Sequence, residues 1–264
     1  MPTNDLETRP RPRKDERRRQ ILLELRLRPH VRVSDLAERF QVSSETVRRD
    51  LEQLSGDGLL DRAHGGASAP TTGHYPTFDE RANARVQERE RIGRLAASLV
   101  APGETLMIDS GSTTLMMARF LAFECTPCTV VTNSFPVAMA LGQSETVKLI
   151  FCPGDYLSSE SAVIGTDTIT FLERHQVDRC LIGASALSAA GPSEAVRGFA
   201  AVKRAMLRQS AISQLLVDCE KFGRKNLVLV GQLSDLTSVV CDAPPADDLT
   251  EALGQANVEV LVAQ

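Results

Sequence analysis

Tryptophan is absent from this 264-residue sequence and tyrosine occurs only twice. So few large rings leave no stacking platform of the kind that holds single-stranded nucleic acid. No stretch reaches the ~18 consecutive apolar residues of a membrane-spanning helix. The opening MPTNDLETRPRPRKDERRR has no apolar run behind its charges, unlike a secretory signal. A cytoplasmic protein with no membrane partner is expected. Histidine is also scarce, and His30, His64, His74 and His175 lack the spacing that would complete a zinc site with Cys125 and Cys128 of CTPC. Cys152, Cys180, Cys219 and Cys241 stand singly in apolar, strand-like runs and read as small buried hydrophobes. No metal and no cofactor are expected.

What is present is an ordinary globular composition, 42% hydrophobic and 24% charged, long enough for two domains. The charge is uneven. Residues 9–32 hold ten Arg/Lys against three Asp/Glu, whereas residues 67–264 hold 16 against 22. A basic amino-terminal unit on an acidic body suggests polyanion binding at one end and a separate task at the other.

The first seventy residues read as helix, short helix, turn, helix and hairpin. DERRRQILLELRLRP (15–29) places Ile21, Leu22 and Leu25 on one side, and VSDLAERF (33–40) has Leu36, Ala37 and Phe40 at helical spacing. After the turn QVS, Ser43 is a candidate N-cap, with Glu45 facing the positive end of the helix dipole. Val47, Leu51 and Leu54 fall at i, i+4 and i+7 of that helix, so Arg49 points away from the apolar face and Arg48 to one side. Gly56 and Gly58 close it, and LLDRAHGGA supplies a strand, a Gly-Gly turn and a return. This order predicts a winged helix-turn-helix, whose second helix enters the major groove by its amino-terminal half. Ser44, Glu45, Thr46, Arg48 and Arg49 would lie there, Ser43 and Ser44 suit a phosphate, and Arg62, His64, Gly65 and Gly66 could approach the backbone alongside. An arginine fork can meet guanine or phosphate, and both assignments stay open.

SAPTTGHYPTF (68–78) reads as a linker between a domain at 15–67 and one at 79–264. Beyond a helix ending at Pro102-Gly103, strands are expected at 105–109, 129–133, 147–152, 178–185, 214–218, 237–242 and 258–263. Helices are expected between them, at 115–123, 135–142, 162–174 and 199–213 among others. Short apolar strands with helical crossovers predict an α/β domain with a mostly parallel sheet, whose ligands bind beyond the strand carboxyl ends. One such end carries Asp109, Ser110, Gly111, Ser112, Thr113 and Thr114, a hydroxyl-rich loop leading into a helix and thus a candidate anion cradle. It lacks the spacing of a nucleoside-triphosphate loop. Other ends carry Asn133 in TNS, and Asp218 and Lys221 in DCEKFG, a carboxylate and an ammonium suited to a ligand with hydroxyls and a phosphate.

The run VRVSDLAERFQVSSETVRRDLEQLSGDGLLDRAHGGA resembles the amino-terminal signature of the DeoR family of bacterial transcriptional regulators. The segments IDSGSTT, VVTNS, IGASAL, VDCEKFGR and SVVCD resemble the family's carboxyl-terminal sensor domain, so the likeness runs from about residue 15 to 243. The resemblance implies a sugar-phosphate-isomerase-like sensor fold that binds phosphorylated sugars or related metabolites. It places Asp109 to Thr114, Asn133, Asp218 and Lys221 at the pocket, with Arg89 where the family usually has lysine. Two positions depart from the family: Pro153 replaces the first glycine of a Gly-Gly, and Phe199 replaces an acidic residue before A-x-V-K. The expectation is a repressor of a carbohydrate operon rather than an enzyme. It would bind double-stranded operator DNA as a dimer or tetramer in the bacterial cytoplasm, on the nucleoid when DNA-bound, and a phosphorylated sugar or similar small anion would release it. The alternative is a sugar-phosphate isomerase with an accessory DNA-binding domain, since Asp109, Asp218 and Lys221 could do acid–base work.

Overall fold

The computed structural model describes residues 14–27, 30–56, 60–63, 65–68, 78, 81 and 85–264. The chain divides into two compact units, 1–75 and 76–264.

In the first unit, helices α1 (Lys14–Leu27), α2 (Val33–Phe40) and α3 (Ser44–Gly56) pack with strands β1 (His30–Arg32), β2 (Asp61–Ala63) and β3 (Gly66–Ser68). The expected hairpin is β2–β3. The sequence reading missed β1, which joins it to make a three-stranded sheet in the order β1-β3-β2. A Cβ on Gly66 would lie 1.9 Å from the Val31 carbonyl oxygen, so only glycine lets β3 approach β1. Ile21, Leu36, Phe40, Val47, Leu51 and Leu54 meet in one buried cluster, the helical stripes read from the sequence. Ser68, the first residue of the expected linker, ends β3, and Phe78, the last, is buried among apolar residues of the second unit. Residues 69–77 lie outside the described ones.

The second unit contains helix α4 (Val86–Ser98) ahead of its first strand. Its seven-stranded sheet is parallel throughout and comprises β4 (Thr105–Ile108), β5 (Cys128–Thr132), β6 (Val147–Phe151), β9 (Val177–Gly183), β12 (Ser210–Leu216), β14 (Ser238–Cys241) and β15 (Glu259–Val262). All seven expected strands are here, in the order β15-β14-β12-β9-β4-β5-β6. Alternate residues face opposite sides: Leu106 and Ile108 join the cluster under α4 and α5 (Ser112–Glu124), and Met107 joins the one on the other face. α4 and α5 touch closely, because a Cβ on Gly93 would sit 2.8 Å from the Met117 backbone nitrogen. α6 (Phe135–Leu141) follows β5.

Two helical expectations need correction. The stretch 162–174 begins as strand β8 (Ala162–Ile164), paired with β7 (Asp155–Leu157), and becomes helical only at α7 (Thr166–Glu173). Gly165, at φ 104°, makes the break. The stretch 199–213 divides into α8 (Arg197–Arg208) and the first half of β12. A second small sheet of β10 (Ala186–Ser188), β11 (Gly191–Glu194) and β13 (Val228–Leu229) was not read from the sequence, and α9 (Asp247–Gln255) was not singled out.

Candidate nucleic-acid interface and anion site

In the first unit, Ser43 caps α3. Its Oγ accepts from the Thr46 backbone N–H at 3.1 Å and lies 2.8 Å from the Thr46 hydroxyl. This fixes where α3 starts and therefore which residues face outward. Ser44, Glu45, Arg48 and Arg49 are exposed, Thr46 is half-buried, and Arg49 pairs with Glu45 at 3.4 Å on the open surface. Asp50, next in sequence, is 2% exposed and takes Arg17 and Arg18 of α1 at 2.5 and 3.1 Å. The charges of VRRDL thus divide: two cations face solvent, and the anion locks α3 to α1. Arg62 of β2 donates to the Arg48 carbonyl at 3.3 Å, holding the hairpin beside α3. Gly65 turns the hairpin at φ 76° and stays exposed, while Gly66 is buried. Ser34, Ser44, Arg48, Arg62, Gly65 and Gly66 border a cavity of about 340 Å³. His64 lies outside the described residues.

In the second unit, the expected residues of the anion site gather at the carboxyl ends of β4, β5 and β12. α5 begins at Gly111 without a side-chain cap and without an acidic residue in its first turn, so its first N–H groups have no intrahelical acceptor. The Thr114 hydroxyl braces the loop by donating to the Asp109 and Gly111 carbonyls at 3.1 and 3.0 Å. Ser110, Ser112 and Thr113 are buried at the same place. Asn133 is fully buried, its amide donating to the Val163 carbonyl at 2.9 Å. Asp218 lies between Arg85 and Arg89, 3.7 Å from each. Lys221 is half-buried; its backbone N–H donates to the Asp218 carbonyl at 3.0 Å, and its ammonium makes no hydrogen bond or ion pair among the described residues. Burial lowers its pKa and the Asp218 carboxylate opposes this, while Arg89, Arg81 and Arg224 add to the lowering.

Buried polar atoms that find no hydrogen-bond partner are rare in folded proteins. Here Asp109 Oδ1, Ser110 Oγ, Asn133 Oδ1 and Asp218 Oδ1 are buried and accept no hydrogen bond from the described residues, all at these strand ends. Three are acceptor-only oxygens, so a molecule bringing donors would satisfy them. An uncapped helix start and the Lys221 ammonium beside them offer a place for negative charge.

Two family models match the chain: "DeoR-like helix-turn-helix domain" over residues 17–72 and "DeoR C terminal sensor domain" over residues 84–243. The chain belongs to the DeoR family. It is 32% identical over 232 residues to the glycerol-3-phosphate regulon repressor of Escherichia coli, covering 88% of this chain and 92% of that one. It is 29% identical over 251 residues to the transcriptional repressor GlcR of Bacillus subtilis, covering 95% and 96%. Ribose 5-phosphate isomerase A of Methanocaldococcus jannaschii superposes with a TM-score of 0.40 at 18% identity, over 53% of this chain and 55% of that one.

This DeoR-family chain also carries charges at the strand ends that sequence reasoning missed. Lys203 of α8 is 3% exposed, and its ammonium meets Asp109 Oδ2 at 2.6 Å, Glu194 Oε1 at 2.7 Å and the Gly183 carbonyl at 2.9 Å. Arg85 pairs with Asp242 at 2.9 Å and Glu220 at 3.0 Å, from a left-handed backbone at φ 48°. Arg81 makes a two-pronged pair with the buried Glu160 and accepts from Arg89 through its carbonyl. A signal for Lys203 was available: it interrupts the buried stripe Phe199, Val202, Met206 of an otherwise amphipathic helix. Of the two departures from the family pattern, Phe199 is buried in α8 and Pro153 is exposed before β7. Cys125 ends α5 at φ 54° in solvent, and Cys128 opens β5, where burial pushes its thiol up to about 11. Among the described residues no cluster of three or more His, Cys, Asp or Glu could hold a metal ion, and no helix is long and apolar enough to cross a membrane.

Proposed function

We propose that this chain represses a carbohydrate-metabolism operon and is released from its operator by a phosphorylated sugar or similar anionic metabolite. Residues 15–67 bind duplex DNA: the exposed start of α3 enters the major groove, with Ser43, Ser44, Glu45, Thr46, Arg48 and Arg49 facing it. Arg62, His64, Gly65 and Gly66 lie along the backbone. Residues 79–264 pair two or more copies, matching repeated half-sites in the operator. The phosphate sits on the loop Ser110–Thr114 at the start of α5, with Lys221 and Arg89 beside it, and Asp109, Asn133 and Asp218 take hydroxyls. The observation that carries this reading is the cluster of buried polar atoms, Asp109 Oδ1, Ser110 Oγ and Asn133 Oδ1 among them, that have no hydrogen-bond partner among the described residues beside an uncapped helix start. The names of the relatives, repressors of sugar and glycerol-phosphate genes among them, support it.

Calorimetry against a panel of sugar phosphates and their dephosphorylated counterparts tests the effector. Binding of the phosphorylated forms alone is expected, and equal binding of the free sugars would overturn the assignment. Sedimentation of a 79–264 fragment tests the assembly, and a monomer at micromolar concentration would count against pairing through this unit.

A further inference from the structure

Lys203, Glu194 and Asp109 form a buried charged triad, and its hydrogen bonds can be counted to completion. An ammonium has three protons to donate. Those of Lys203 go to Asp109 Oδ2, Glu194 Oε1 and the Gly183 carbonyl. Glu194 is 3% exposed, and its other oxygen accepts from the Ser185 hydroxyl. Asp109 Oδ2 also accepts from the Gly183 N–H at 3.1 Å. Every polar atom of the three side chains is therefore occupied except Asp109 Oδ1, which is buried without a partner among the described residues. Lys203 has no proton left to offer a ligand, and Asp109 Oδ1 is the one oxygen of the triad that accepts no hydrogen bond from the described residues.

We propose that Lys203 and Glu194 are positioning residues that set the charge on Asp109 and aim its free oxygen, so that Oδ1 accepts a hydrogen bond from a hydroxyl of the bound metabolite. The inference rests on reading these strand ends as the effector site. The charged and titratable groups around Asp109 are Lys203 from α8, Glu194 from the end of β11 and the Cys180 thiol of β9, which burial keeps protonated. Burial raises the Asp109 pKa, Lys203 and the Gly183 N–H oppose this, and Glu194 adds to it, leaving the carboxyl pushed up to about 6. It is ionised at neutral pH, so a hydroxyl donor is accepted there and lost as the solution is acidified. Lys203 and Glu194 act on this ionisation with opposite signs. Removing the lysine charge moves it to higher pH, and removing the glutamate charge moves it to lower pH.

The test compares Glu194→Gln and Lys203→Met with the parent full-length protein. Affinity is measured by calorimetry from pH 5.5 to 9 for glycerol 3-phosphate and fructose 6-phosphate and for free glycerol and fructose. The ionisation of the ligand phosphate and of Lys221 is common to all three proteins and cancels in the comparison. Glu194→Gln is expected to shift the acid limb of binding down by about one pH unit, the usual effect of one neighbouring charge. Lys203→Met is expected to shift it up and to weaken binding about tenfold at pH 7, where Asp109 then carries its proton. Profiles that coincide with the parent, or that move in the same direction, overturn the inference. If the free polyols bind as tightly as the phosphates, the phosphate reading falls, while opposed shifts in their profiles still support the triad. If no probe binds, or Lys203→Met does not fold, the carboxyl carbon of Asp109 is titrated by NMR in the ligand-free parent and in Glu194→Gln. An unchanged midpoint overturns the inference, and a lowered one supports it.

Discussion

Arg48 and Arg49 stand in solvent on α3, whereas Arg89 and Lys203 are 4% and 3% exposed at the strand ends of the second unit. Exposed arginines keep their hydration and wait for a polyanion, so their effect falls with salt. Buried cations have lost water and must be repaid by carboxylates, which is why Asp109, Glu194, Asp218 and Glu160 lie beside them. Positive charge on a surface addresses long molecules of any shape. Positive charge buried among carboxylates is held to one geometry.

The sharpest way to break this division is to remove the buried anion that locks α3 to α1. Asp50→Ala removes the buried carboxylate that Arg17 and Arg18 share and should cost about 3–5 kcal/mol of that unit's stability, read by denaturant unfolding. A loss under 1 kcal/mol would mean that the pair is a surface contact in solution. Arg48→Ala/Arg49→Ala should leave stability near normal and cost about 1–3 kcal/mol of operator affinity for each arginine that reads a base, with a shallower salt dependence where one holds a phosphate instead. Parent-like operator binding by a folded double variant would show that α3 is not the reading helix. In the second unit, Lys221→Ala should lose about 1.5–3 kcal/mol of sugar-phosphate binding, the range of a charge-assisted hydrogen bond, with DNA affinity retained. The result would be a repressor that cannot be induced. Since burial lowers the Lys221 pKa and a bound anion favours its charged form, that pKa should rise when the anion binds. NMR titration of the ammonium with and without ligand reads this. The smallest effect is expected from Cys125→Ser/Cys128→Ser, which should leave DNA binding and effector response near the parent values. A bound zinc, or a missing response, would reverse that expectation.

The parallel strands were legible because each is a short apolar run closed by a polar end, and the loop Asp109 to Thr114 because it sits where a strand turns into a helix. The first unit was legible from its helical stripes, with Ser43 marking the start of α3. β10, β11 and β13 were hidden because two to four residues, such as GPSE, carry no period to read. The segment Ala162–Ile164 looks helical until Gly165 is seen at a backbone angle that side-chain-bearing residues avoid. The Lys203–Glu194–Asp109 triad joins residues far apart in sequence. Lys203 shows locally as a break in a buried stripe, but its pairing with Asp109 lies outside any local window.

Arg85 gives the second unit a shared keystone. The chain enters α4 through this residue, in a backbone conformation that costs a non-glycine residue about 1 kcal/mol or more. It is held there by Asp242 and Glu220, with Asp218 at 3.7 Å. Asp218 is also one of the acceptors left open for a ligand. A carboxylate has a fixed number of lone pairs, so whatever Asp218 gives to a guest it withholds from Arg85 and Arg89. Any guest at the strand ends therefore shares its acceptor with the residue that starts α4.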